Sequence, residues 1–489
     1  MNKMKNSEIE PKSLSKEELS RISSGINGEE ILEFQKHTLN NFFEPLTPIE
    51  AKEPGSPWVR VRDEEGKERE ILDCTSMNWA LALGFAHPDV NYAAVEQMKR
   101  LTHVRYNCLT PARAKLCNKL AELAPGKLKG GRVALNCEGG GMANEAAMKL
   151  AMIASRGADH FGTFWHGYHG SSLVTATLSQ PIHAVTRFDS FATGHFTRMP
   201  QPYCYRCMWN YKNGLYGKRD PKCNLECFKV VEKYLKGMAP KQMAGVILEP
   251  IQGAGGHIPF PPEFLKKLKE TCKEEKIYLI YDECQTCMWR TGKYFTITEK
   301  YLEELGLDVS PDMMTFTKAI GGGFPLGILV ASQKVRKTFT PTEEHTTFSS
   351  DPVALATGLA AIKVIEKERI GENCEKMGHK ITERLKEIQE DYEVIGDIRG
   401  PGLFIGIEMV KDRETREPFT ELVEEMIQLA PEYNLYLGES MPILSAKGEL
   451  LMRNLVKIKP PLVITEEDTE FILENFEKVL KEALNMVKE

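Results

Sequence analysis

From Gly131 onward, short apolar runs alternate with stretches of helical periodicity, and this alternation constrains the fold more than any other feature of the chain. Val133–Cys137, Phe161–Trp165, Ala244–Glu249, Ile277–Tyr281 and Met313–Thr317 read as strands. Gly141–Ser155 reads as a helix, and Pro262–Lys276 as an amphipathic one, with Phe264, Leu268 and Cys272 at i, i+4, i+8. Strands that alternate with helices predict an α/β fold: a mainly parallel sheet with both faces covered.

The flanks read differently. After Asp351 the chain turns helix-rich, with helical periodicity over Asp351–Glu368, Cys374–Tyr392 and Glu466–Val487 and a short strand within Gly402–Val410. This part reads as a second, α+β unit. Near the start, Ser15-x-x-Glu18 and Asn27-x-x-Glu30 have capping-box spacing, the second opening a helix through Phe43. Trp58–Leu72 reads as strands joined by the polar turn Glu64–Lys67.

Composition narrows the function classes. With 42% hydrophobic and 27% charged residues, the 489-residue chain is neither disordered nor collagenous nor a coiled coil. A net charge of -6 argues against a nucleic-acid partner. Met1–Glu30 is polar, without the apolar core of a secretion signal. His160–Thr186 is the longest stretch free of Asp, Glu, Lys and Arg, but its histidines, glycines and hydroxyls do not suit a bilayer. The expectation is a cytoplasmic protein with no membrane partner.

Three motifs carry chemistry. In Thr315–Gly327 a lysine, Lys318, follows an apolar strand directly and precedes three glycines. An apolar setting disfavours the ammonium, lowers the pKa and makes a nucleophile. The bland alternative is a strand-end lysine at the surface. In Leu279–Thr286, Asp282 and Glu283 close an apolar strand, where open α/β sheets place ligands. An acid there suits a pyridinium nitrogen; the alternative is a helix cap. In Asn136–Glu145 a strand runs through Gly139, Gly140 and Gly141 into a helix whose first N–H groups favour phosphate. The string is neither a Walker A nor a dinucleotide motif, since Asn144 stands where the third glycine belongs.

Together, LEPIQGAGG…PPEFL, YDECQT…RTGK, TFTKAIGGGFPLG and TTFSSDP resemble the class III (ω-)aminotransferases, of the pyridoxal 5'-phosphate (PLP) fold type I, from about Trp58 to Pro461. The resemblance implies a large domain at 98–347, with a seven-stranded mainly parallel sheet, and a smaller one built from 1–97 and 348–489. It implies a PLP-dependent aminotransferase moving an amino group from an amino acid or ω-amine to an oxo acid. Lys318 matches the Schiff-base lysine that also shuttles the proton. Asp282 matches the acid at the pyridine nitrogen, Gln285 the residue near the phenolic oxygen, and Tyr168 the aromatic on the ring face. Gly140 and Gly141 match the phosphate loop, and Glu249 a strand-end acid beside the site. Thr347 matches a threonine reaching the neighbouring subunit's cofactor, which implies a homodimer with shared sites. Related enzymes are epimerases, decarboxylases or phospho-lyases, so those reactions stand as the alternative.

The chain departs from the family pattern at three places. The phosphate loop keeps Gly140 and Ala143, but Gly139 and Gly141 replace hydroxyl residues and Met142 replaces the acid. Glutamate-using members pair a Glu with an Arg that grips the substrate carboxylate. Here those positions hold Ala254 and Lys457, and lysine lacks the planar fork of arginine. We therefore expect pyruvate to be preferred over 2-oxoglutarate. Lys457 reads either as a contact for an acidic substrate group or, with Lys459, as a solvated basic run. Trp79 falls where the family lines the substrate pocket; a core tryptophan is the alternative. Cys204, Cys207, Cys223 and Cys227 approximate zinc-site spacing. Free or buried thiols are the favoured reading, and no metal is assigned.

Overall fold

The computed structural model describes residues 13–22, 34, 37–39, 46–63, 66–155, 157–179, 193–211, 220–237, 242–297, 306, 308–335, 337–340, 342–440, 443–444, 450–451 and 454–487. At its centre is a seven-stranded sheet. The strands are β1 (Arg132–Asn136), β2 (His160–Phe164), β3 (Phe196–Met199), β4 (Met243–Leu248), β5 (Tyr278–Asp282), β6 (Met313–Phe316) and β7 (Gly327–Ala331). Their spatial order is β1-β7-β6-β5-β4-β2-β3. β7 runs antiparallel to both neighbours; every other pairing is parallel.

The apolar runs produce this sheet because both of its faces are covered. Every residue of β4, β6 and β7 is buried. Along β5, Leu279 and Tyr281 join one apolar cluster while Ile280 joins another, as a strand with alternating faces requires. The helix Gly140–Ala154 follows β1 directly, and Pro262–Glu274 buries Phe264, Leu265, Leu268 and Cys272.

Outside this sheet, Thr47–Ala51, Trp58–Arg62, Glu68–Asp73 and Leu435–Tyr436 make a four-stranded sheet. Ile395–Arg399, Ile405–Met409, Leu455–Ile458 and Gly438–Glu439 make another. The N–H of Lys459 donates to the Cys74 carbonyl (2.8 Å), which ties the end of Leu455–Ile458 to the segment after Asp73. The late helices are Pro352–Lys367, Ile370–Asp391 and Glu466–Met486. Asp351 caps the first by accepting from the N–H groups of Val353 and Ala354.

The Ser15–Glu18 capping box forms, each residue's side chain accepting from the other's N–H. The Asn27–Glu30 box and most of its helix lie outside the described residues. Observed boundaries for the read strands and the Gly141–Ser155 and Pro262–Lys276 helices differ from the sequence reading by at most three residues. No helix among the described residues is long and apolar enough to cross a membrane.

Candidate active site

Parallel pairing puts Asp282, the last residue of β5, beside Thr315 of β6. Lys318 follows β6 by two residues and opens the short turn Lys318–Gly321, itself at φ +60°. The acid and the lysine therefore share the carboxyl edge of the sheet, where open α/β folds gather ligands. The helix Gly140–Ala154 starts at the same edge.

Asp282 is buried and surrounded by donors. Its carboxylate accepts from His169 Nδ1 (2.9 Å), Asn144 Nδ2 (2.8 Å) and the Cys284 N–H (3.0 Å). Burial pushes its pKa up, but the hydrogen bonds and charge of His169 and the bond from Cys284 outweigh that and hold it below the ordinary carboxylate range. Asn144 is fixed in turn by donating to the His169 carbonyl and accepting from Thr315 Oγ1. His169 and Asn144 were not assigned roles from sequence. Their signal was present, one inside Gly-Tyr-His-Gly and one where a glycine was missing, but neither is interpretable before the sheet brings them together.

Glu283, adjacent in sequence, does something else. It accepts from Thr286 Oγ1, from Thr296 Oγ1 (2.9 Å) and from the N–H groups of Thr296 and Ile297. It holds the loop after β5, so of the two acids only Asp282 belongs to the site.

Glu249 sits one residue past β4 and is buried. Its two oxygens accept from the N–H groups of Tyr168 and Gly253, both at 2.9 Å. It thus fastens the Tyr168 loop to the Pro-Ile-Gln-Gly turn. Burial raises its pKa from 4.5 to about 7; His169 opposes that and Asp282 adds to it.

Lys318 is half-buried. Desolvation lowers its pKa, against the pull of Cys284, Asp282 and Glu249. This favours the free amine the sequence motif suggested. Its Nζ lies 4.2 Å from the centroid of the Trp79 indole. Tyr168 is half-buried, its hydroxyl 2.8 Å from Ser171 Oγ. Gln285 is buried with an amide oxygen that has no hydrogen-bond partner. A Cβ on Gly253 would collide with that amide, at 2.1 Å.

The glycine loop is compact by necessity. Gly139 has φ +102°, and a Cβ on Gly140 would lie 2.8 Å from Thr317 and 2.9 Å from Cys284. The first N–H groups of the following helix have no intrahelical acceptors. An amine of depressed pKa, an ionised acid, an unpartnered amide and a helix start at one sheet edge fit a phosphorylated pyridine such as PLP.

Lys457 and Lys459 are both buried, so the reading of a solvated basic run is overturned: the strand Leu455–Ile458 is covered on both faces. Lys457 Nζ donates to the Ala254 carbonyl (3.1 Å). Burial lowers its pKa from 10.5 to about 7. Trp79 is half-buried and joins the lysines, 5.8 Å from Lys457 Nζ and 3.4 Å from Lys459 Nζ. Thr347 is exposed. Among the described residues no group of three or more His, Cys, Asp or Glu is arranged to hold a metal ion. Burial, then Cys223, pushes the Cys227 thiol up to about 12.

The family model for class III aminotransferases matches residues 51–480. The chain is 30% identical to a leucine/methionine racemase of Thermococcus litoralis over 441 residues, 90% of this chain and 91% of that one. It is 32% identical to a 5-aminovalerate aminotransferase of Pseudomonas putida over 379 residues, 77% of this chain and 83% of that one. Among solved structures, an aminotransferase of Bacillus anthracis superposes with a TM-score of 0.78 at 26% identity, covering 93% of this chain and 98% of the other.

Proposed function

The chain belongs to the class III aminotransferases, PLP-dependent enzymes of fold type I, and from that premise we propose that it moves an amino group from an amino acid or ω-amine to pyruvate in preference to 2-oxoglutarate. One observation carries the preference. Lys457 donates to the backbone carbonyl of Ala254, the residue standing where glutamate users carry an acid. No carboxylate at 254 trades partners with a substrate's second acid, and no guanidinium at 457 presents a fork to it.

Lys318, Asp282, Gln285, Tyr168, Gly140, Gly141 and Glu249 would hold the cofactor, with Thr347 contributed by the neighbouring subunit. The cofactor supplies an electron-withdrawing ring that stabilises charge developing at the substrate Cα. The chain does the rest. Lys318, kept as the free amine by its burial, would take and return the Cα proton. Asp282, kept ionised by His169 and Asn144, favours a proton on the ring nitrogen. Tyr168 and Gln285 orient the ring, and the loop at Gly140 and Gly141 receives the phosphate through backbone N–H groups. Trp79, whose ring centroid is 4.2 Å from Lys318 Nζ, and Lys457 would face the substrate.

The test compares kcat/KM for pyruvate and 2-oxoglutarate with one amino donor. We expect pyruvate to win by at least roughly tenfold, about 1.4 kcal/mol of transition-state discrimination. Comparable values would overturn the preference. A second reading, racemisation or epimerisation, is supported by the likeness to the racemase. A single enantiomer incubated without oxo acid separates the two: a transaminase stops after one half-turnover per site, whereas a racemase continues.

A further inference from the structure

Lys459 is the buried amine that nothing so far uses; burial, then Lys457, Lys318 and Arg290, hold its pKa well below the ordinary lysine range. It has no accessible surface, and its Nζ has no hydrogen-bond partner. Nor does it pair with any carboxylate among the described residues. The nearby charges are otherwise engaged: Lys457 donates to Ala254, Glu249 accepts two backbone N–H groups, and Arg399 is bound to Asp397 and Glu408. A second donor is orphaned beside it. Trp79 Nε1 is buried without a partner, on the same indole whose ring centroid is 3.4 Å from Lys459 Nζ. Burying an unpartnered amine, which can carry its charge only beside an anion, and an unpartnered N–H costs free energy that an apolar side chain at either place would avoid. A single anion accepting from both would remove that cost.

The position is right for a substrate group. Lys318 Nζ lies 4.2 Å from the same indole centroid, so the two amine nitrogens are no farther apart than those two distances laid end to end. That span suits a molecule with an amino or oxo group at one end and a carboxylate a few bonds away. The indole is also held in an unusual way. Ser76, Met77, Asn78 and Trp79 all have positive φ, at 49°, 41°, 58° and 70°, with no glycine among them. Asp73 accepts from the N–H groups of Thr75 and Met77, and Ser76 Oγ donates to the Lys459 carbonyl (2.7 Å). The backbone that carries Trp79 is thus fastened to the residue its ring covers.

We propose that Lys459 and the Trp79 N–H form the anion subsite of this enzyme, which receives the carboxylate of the amino donor or oxo acid while the reacting group faces Lys318. The role that arginine plays in glutamate-using relatives is thereby moved two residues along the strand end, from 457 to 459. With the Lys459 amine 3.4 Å from the indole centroid, the proposed subsite includes a turn of the ring that lets one anion reach both Nζ and Nε1. This deepens the transaminase reading and rests on it for the identity of the reacting group.

The test uses the PLP-loaded enzyme and propanoate, a carboxylate with nothing to transfer. Calorimetric titration should show propanoate binding at least tenfold weaker in Lys459→Met than in the wild type, with Lys459→Arg recovering most of it. In parallel, the ratio of kcat/KM for alanine to that for butylamine should fall at least tenfold in Lys459→Met, because only alanine carries the anion. Unchanged propanoate binding in Lys459→Met would overturn the proposal. So would equal losses for alanine and butylamine, the mark of a purely structural residue. Propanoate binding that depends on Lys459 in an enzyme that transfers no amino group would uphold the subsite and sink the transaminase reading.

Discussion

At Asp282, burial and hydrogen bonding pull in opposite directions, and the balance depends on one neighbour. Desolvation alone would protonate the acid, but His169 Nδ1 at 2.9 Å holds it ionised. Replacing His169 with leucine removes that donor, so the Asp282 pKa rises and the acid limb of the kcat/KM profile moves to higher pH. For each pKa unit of that shift, activity below the limb falls roughly tenfold. A variant that loses activity equally at all pH values would show that His169 only packs. Tyr168 was legible in the sequence because a motif surrounds it, whereas its neighbour His169 acts through a residue 113 positions away. Distance in sequence also hid Lys459, whose indole neighbour Trp79 lies far toward the start of the chain. Its context, Lys457-Ile458-Lys459, has the look of a solvent-facing run, and only the burial of the strand end shows otherwise.

Elements that alternate apolar runs with amphipathic helices were readable because periodicity reports burial directly. Insertions without periodicity were not. The segment around Cys204 and Cys207 drew attention to its thiols, but what fastens it is charge. Tyr203 and Arg206 both donate to Glu408 in Ile405–Met409, and Glu408 also accepts from Arg399. Burial would raise the Glu408 pKa, yet Arg206 and Arg399 bring it down from 4.5 to about 2. A carboxylate with a depressed folded pKa stabilises the fold fully above its unfolded pKa and loses that contribution as pH falls. The stability of the wild type should therefore drop as pH is lowered from about 4.5 towards 2. Glu408→Gln leaves the buried guanidinium of Arg399 and the half-buried one of Arg206 short of a partner and should cost about 3–5 kcal/mol in denaturant unfolding at neutral pH. It should also flatten that part of the pH dependence. Hydrogen exchange over 201–211 should rise in the same variant; unchanged protection there would show that other contacts hold the insertion.

The whole molecule poses a question of assembly that a single chain answers only in part. The site residues at the sheet edge come together within the chain, but Thr347 is exposed, next to Phe348 at 52% exposure and between His345 and Ser349, which line a cavity of about 580 Å³. We propose that Thr347 completes the phosphate site of a second copy, so that each active site is built by two chains. Losing a hydroxyl that donates to a phosphate should cost roughly 1.5–3 kcal/mol, about ten- to a hundredfold in cofactor affinity. The decisive experiment mixes two weak parents. In a hybrid of a Lys318→Ala chain with a Thr347→Ala chain, sharing across the interface puts both defects in one site and none in the other. That second site should bind PLP and turn over as the wild type does, so the isolated hybrid should recover close to half of wild-type activity and a random equal mixture about a quarter. If Thr347 served its own chain, no hybrid site would be intact and mixing would recover nothing above the parents. Sedimentation of the unmixed protein as a monomer at working concentration would exclude the shared site outright.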